Sequence, residues 1–180
     1  MRGPETVMMT FSILLGCSCG YPPPIAVTST QEVSFRIAVP GNWILEENAG
    51  ETAGRGWILV PGGFTARNSP VVMYARAGGS SYHDARKYIA QDIAEFLKYG
   101  TRELPATYNP LAPRRMGDTL SAAVYDYCGG VQGTFERIAY IQGPGAVCCV
   151  VLSARSAESF HAYADALFEA LDGFRFRRLP

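Results

Sequence analysis

The chain is poor in the residues that most often carry chemistry. Its 180 residues hold two histidines, His83 and His161, and two lysines, Lys87 and Lys98. Five cysteines form no C-x-x-C pair, and the two histidines fall at the starts of two different helical stretches, so no metal-ligand set is assembled and none is assigned. G-x-S-x-G, the P-loop and the G-x-G-x-x-G dinucleotide signature are all missing, and with them the marks of α/β-hydrolases and of two nucleotide-binding classes. Sixteen bases balance sixteen acids, so no broad attraction to nucleic acid is expected. No catalytic residue and no cofactor follows from this inventory.

What the chain has is apolar content, 48%, enough for one domain with a real core and too little length for two. The clearest stretch runs from Leu120 to Phe176. Leu120 to Cys128, Gly133 to Gln142 and Ala146 to Ala154 are rich in β-branched and aromatic residues, with glycine in each gap, which predicts a β-meander. Past Arg155 the period changes to about 3.6. Phe160, Tyr163, Ala164, Leu167, Phe168 and Leu171 make one apolar stripe, which predicts a single helix from about Ser156 to a left-handed stop at Gly173.

Upstream, Val33 to Val39, Trp43 to Glu47, Gly56 to Val60 and Val71 to Ala77 read as four strands. Gly78-Gly79-Ser80-Ser81 then opens a helix that runs to Gly100, with Ser81 and Asp84 approximating a capping box. Thr101 to Thr119 has three prolines and no period, apart from a short edge strand expected at Arg114 to Met116. The fold class expected is α+β, an antiparallel sheet between helical layers. A meander that pairs Cys128 with Gly133 and Gln142 with Ala146 sets Cys128 roughly 23 Å along the strands from Cys148. That is far beyond disulfide reach, so Cys128, Cys148 and Cys149 are expected as free core thiols, with Cys19 exposed.

The first residues carry a different signal. Arg2 precedes a largely apolar segment of nine residues, Val7 to Leu15, which runs out through Leu14-Leu15-Gly16-Cys17. This resembles the lipobox of bacterial lipoproteins. The resemblance implies cleavage after Gly16 and lipid attachment at Cys17. The apolar segment falls well short of the ~20 residues that span a bilayer, which suits removal better than retention. The organisation expected is then a signal peptide over residues 1–16, a proline-rich tether over 17–30 and one domain over 31–180. The location expected is the bacterial cell envelope, with the membrane as a partner through lipidated Cys17. Ser18 resembles the default for sorting to the periplasmic face of an outer membrane where there are two membranes; with one, the anchor lies on the outer face of the plasma membrane.

Phe35 to Trp43, F-R-I-A-V-P-G-N-W, resembles the opening of the PsbP-like family. The order that follows is similar too: strands, a long helix, an antiparallel meander, a C-terminal helix and a final Phe-x-Phe at Phe174 and Phe176. The resemblance implies an antiparallel sheet between helical layers, and it brings no catalytic residues with it. The function expected is a non-catalytic protein-binding or assembly module with an unknown envelope protein as partner, and not an enzyme. The alternatives are a small-ligand carrier with a pocket between helix layer and sheet, or a small hydrolase using serine with one of the histidines. Recognition is expected on the two long connections, through Arg55, Trp57, Tyr108, Arg114 and Arg115, residue types enriched among interface hot spots. The competing reading is that Trp57 and Tyr108 pack inward.

Overall fold

The computed structural model describes residues 24–28, 33–47, 57–77, 84–101, 105–129 and 133–178. Eleven strands and three helices are described, in two sheets. The small sheet has the order β1-β2-β11, from β1 (Pro24–Thr28), β2 (Val33–Ala38) and β11 (Arg175–Arg178), all antiparallel. The large one has the order β3-β4-β5-β10-β9-β8-β6, from β3 (Trp43–Glu47), β4 (Trp57–Pro61), β5 (Val71–Ala77), β6 (Thr107–Pro110), β8 (Leu120–Cys128), β9 (Phe135–Gln142) and β10 (Val147–Ala154). The short β7 (Arg114–Met116) also pairs with β8.

Strand β10 sits between β5 and β9 and is covered on both faces, which is why Val-Cys-Cys-Val-Val-Leu reads as an unbroken apolar run rather than an alternation. Strand β8 alternates instead. Ala122 and Val124 face one layer, while Ala123, Tyr125 and Tyr127 face the other. Helix α1 (Ala85–Leu97) covers the tyrosine side, and α2 (Ala157–Tyr163) with α3 (Ala166–Asp172) covers the opposite side. This is the α+β sheet between helical layers that the sequence leads one to expect.

Several details differ. The stretch expected as a tether over 17–30 contains β1, because Ile-Ala-Val-Thr is strand-prone and has the free edge of β2 to pair with, Ile25 opposite Ile37. The C-terminal helix is two helices. They part at Ala164–Asp165, where Leu167 and Phe168 bond back three residues instead of four, and Asp165 meets Arg137. Gly173 does not take a left-handed conformation, having φ −90°. A Cβ there would lie 2.5 Å from that of Ala38, so the glycine is needed for the close approach of α3 to β2.

Asp84, not Ser81, caps α1, accepting from the backbone N–H of Arg86 at 2.8 Å; Ser81 lies outside the described residues. Strand β4 starts at Trp57 and includes Pro61, and the supposedly aperiodic connection supplies β6. The meander register slips as well. Cys128 pairs with Phe135 and Cys148 with Ile141, because the turn after Gln142 closes with the Gly143 N–H on the Ala146 carbonyl. Cys148 is thus six residues along the strands from Cys128, roughly 20 Å, and Cys128, Cys148 and Cys149 are free. Cys128 is half-buried, not a core thiol like the other two.

Candidate functional site

The five residues expected to form a partner surface are not brought together. Arg55 lies outside the described residues. Trp57 is 4% exposed in the core, and its indole N–H has no partner among the described residues. Tyr108 is 45% exposed on β6 and continues a ladder of rings with Tyr125 and Tyr127, centroids 6.3 and 6.5 Å away. Arg114 faces the opposite layer, where it pairs with Asp172 at 2.7 Å and lies over the ring of Phe168. Arg115, exposed, pairs with Ser121, six residues along β8 from Tyr127, the partner of Tyr108. Strand geometry therefore separates Tyr108 from Arg115 by roughly 20 Å, and Arg114 serves α3.

The polar groups under α1 form one chain. Tyr127 and Tyr140 share a hydroxyl–hydroxyl bond of 2.7 Å, Tyr140 donates to Asp92 at 2.5 Å, and Asp92 takes the Arg76 guanidinium at 2.8 Å. Burial pushes the phenols of Tyr127 and Tyr140 above their ordinary value, and the Asp92 charge adds to it at Tyr140. Burial also pushes the Cys149 thiol on the same side up to about 12. These groups are neutral near pH 7, and their hydrogen bonds fasten α1 to the sheet.

A second set lies on the other face. Arg137 donates twice to Asp126, at 2.7 and 3.0 Å, and once to Asp165 at 3.1 Å, and its guanidinium stacks over Phe160 and Phe168. The bonds to Asp126 hold that guanidinium's pKa above its usual value. Arg137 shares its strand face with Phe135, Ala139 and Ile141. The alternation of β9 was the signal that could have marked it as an inward-facing charge.

Two shallow clefts open on this face. One, of ≈ 240 Å³, is lined by Thr107, Asn109, Cys128, Phe135, Phe160 and His161, beside strand β6. It brings a half-buried thiol and an exposed imidazole to one cleft. The other, of ≈ 320 Å³, lies between the Pro40–Trp43 turn and the α2–α3 junction, and is lined by Asn42, Trp43, Tyr163, Asp165 and Glu169 among others. Trp43 and Tyr163 meet edge to face at 6.0 Å, and Glu169 accepts the Gly41 N–H at 3.1 Å. The sequence reading passed over Trp43, Asp165 and Glu169, since the turn and the helix junction are over a hundred residues apart. Among the described residues no group of three or more His, Cys, Asp or Glu is placed to hold a metal.

No family model matches the sequence, and the search of curated proteins finds no match. Solved structures do resemble it. The solution structure of cyanobacterial PsbP (CyanoP) from Synechocystis sp. PCC 6803 matches with a TM-score of 0.51 at 11% identity, over 91% of this chain and 99% of that one. The crystal structure of LpqN, involved in cell envelope biogenesis of Mycobacterium tuberculosis, matches with a TM-score of 0.52 at 16% identity, over 87% of this chain and 91% of that one. At such identities the likeness speaks to architecture, and the chain has the PsbP-like α+β fold.

Proposed function

We propose that the protein is a lipid-anchored module of the bacterial cell envelope that holds a protein partner and turns over no substrate. The observation that carries this reading is how the described interior polar groups are used. Arg76, Asp92, Tyr127 and Tyr140 fasten α1, and Arg137 with Asp126 and Asp165 fastens α2 and α3. Charges committed to one another in this way hold helices to the sheet, which supports a structural use for them. The leader-like stretch ending at Gly16, directly before Cys17, supports the anchor, and the likeness to LpqN is in keeping with an envelope location. A carrier would need room between helix layer and sheet. That space holds Ile89, Phe96, Tyr127 and Tyr140 on one side and Phe160, Leu167 and Leu171 on the other.

The test is expression of the parent and of Cys17→Ser in a bacterial host supplied with labelled fatty acid, followed by fractionation. The parent is expected to take up label and sediment with membranes, and the variant to do neither. Equal labelling and equal membrane association of the two forms would refute the anchor.

A further inference from the structure

We infer that the open edge of β3, with the cleft beside it, docks an extended basic segment of the partner, a strand that pairs with β3 and sets an arginine or lysine beside Asp165 and Glu169. This rests on the binding-module reading above and gives that reading a site and a partner chemistry.

Among the described residues β3 pairs only with β4, so its other side is an edge. The bond from the Gly62 N–H to the Asn42 carbonyl fixes the phase of that ladder. Ile44 and Glu46 then turn their backbone groups to β4, while Trp43, Leu45 and Glu47 turn theirs outward. The Trp43 N–H is taken by the Pro40 carbonyl, but the Leu45 N–H and carbonyl face the open side. The far edge, β6, is different. The Leu111 N–H to Val124 carbonyl bond leaves Tyr108 and Pro110 facing outward, and Pro110 has no N–H. Strand β6 is a proline-blunted edge, and β3, among the described residues, holds no proline on its open side.

A strand added to β3 would lie about 4.8 Å away, with alternate side chains on the α2–α3 face beside Trp43 and Leu45. The cleft there is prepared for a cation on a backbone. Asp165 gives one oxygen to Arg137 and Glu169 one to the Gly41 N–H, which among the described residues leaves the second oxygen of each carboxylate, and no base stands among the described residues that line the cleft. Trp43 lines it and is nine-tenths buried, so its ring forms an apolar wall for the stem of an incoming basic side chain. Two carboxylates beside an aromatic wall select a basic peptide over an acidic or purely apolar one.

The test uses the purified full chain in detergent at low salt, with end-blocked nine-residue peptides read by fluorescence anisotropy. One peptide alternates valine and arginine, and a second has glutamate for arginine. Two more are the arginine peptide N-methylated at odd or at even positions. The arginine peptide is expected to bind, and the glutamate peptide to bind at least tenfold more weakly. One of the two methylated forms should lose about tenfold, because only one phase of N–H groups faces β3. Asp165→Asn with Glu169→Gln keeps the acceptors for Arg137 and Gly41, and should weaken the arginine peptide about tenfold. Should that variant melt early, Ala162→Arg, at an exposed position of the same cleft, supplies the like charge instead and should weaken binding comparably. Equal binding of arginine and glutamate peptides, indifference to methylation at both phases, or full affinity in both variants overturns the proposal. An envelope partner captured equally by wild type and by the Asp165–Glu169 variant overturns this site and leaves the binding-module reading standing. Capture of nothing by the wild type overturns both.

Discussion

Gly173→Ala is a sharp test of how the helical layer meets the small sheet. At φ −90° and ψ 1° the backbone accepts any L-residue, so conformation alone favours alanine by about 0.4–1 kcal/mol through the unfolded state. Packing opposes it. The new Cβ would lie 2.5 Å from the Ala38 Cβ and 2.8 Å from the Ala38 nitrogen, against ~3.5–4.0 Å for a comfortable contact, so β2 must retreat by about 1 Å. Strand β2 cannot do so freely, since Phe35 and Ile37 are fully buried and Phe35 stacks on Phe174 at 5.6 Å. Overpacking of this kind costs about 1–3 kcal/mol, leaving a net loss of about 1–2 kcal/mol and a Tm lower by about 3–6 °C. Calorimetry beside urea unfolding measures it. Adding Ala38→Gly should restore about half of the loss, since the nitrogen stays in the way. A Gly173→Ala protein as stable as the parent would mean that α3 does not end against β2 as described.

Arg114→Ala should lower stability by about 1 kcal/mol, through the Asp172 pair and the Phe168 contact, while Arg115→Ala stays within about 0.5 kcal/mol in the same melt. Native alkylation near pH 8 should label Cys128 well before Cys148 and Cys149, whose thiols burial pushes up; peptide mapping decides, and equal rates would contradict the burial. Tyr127 and Tyr140 keep their protons in the folded state where the unfolded chain, at the ordinary value of 10.0, releases them. Their contribution is therefore full below pH 10 and is lost as pH rises towards the raised values, at about 1.4 kcal/mol per pH unit for each. Tyr140→Phe should flatten that alkaline slope in a pH series of urea melts, and an unchanged slope would rule the pair out as its source.

The layers were legible because they rest on local periodicity. Strand β8 alternates and the stripe from Phe160 to Leu171 has a helical period, so each reports its own buried face. The break at Ala164–Asp165 was not legible, since the stripe runs on across it and the partner that Asp165 meets there, Arg137, lies on another strand. Register was lost for a related cause: it is set by turn geometry, here the bond across Gly143 and Ala146, and a shift of one residue leaves composition untouched. Trp57 stood between two readings, a hot-spot residue type at the end of a long connection and the head of the apolar run Trp-Ile-Leu-Val; that run is buried throughout, and the inward reading holds. The acid-and-aromatic cleft joins a turn at Gly41 to a helix at Glu169, a meeting that only the tertiary fold creates.

The most direct test of a membrane-tethered partner module is site-specific photo-cross-linking in intact cells. A photoreactive residue is placed at Ala162, exposed at the cleft, or at Lys87, exposed on α1. The account predicts a discrete protein adduct from position 162 that disappears with Cys17→Ser, and little or none from position 87. No adduct at position 162, or an adduct indifferent to Cys17, would contradict it.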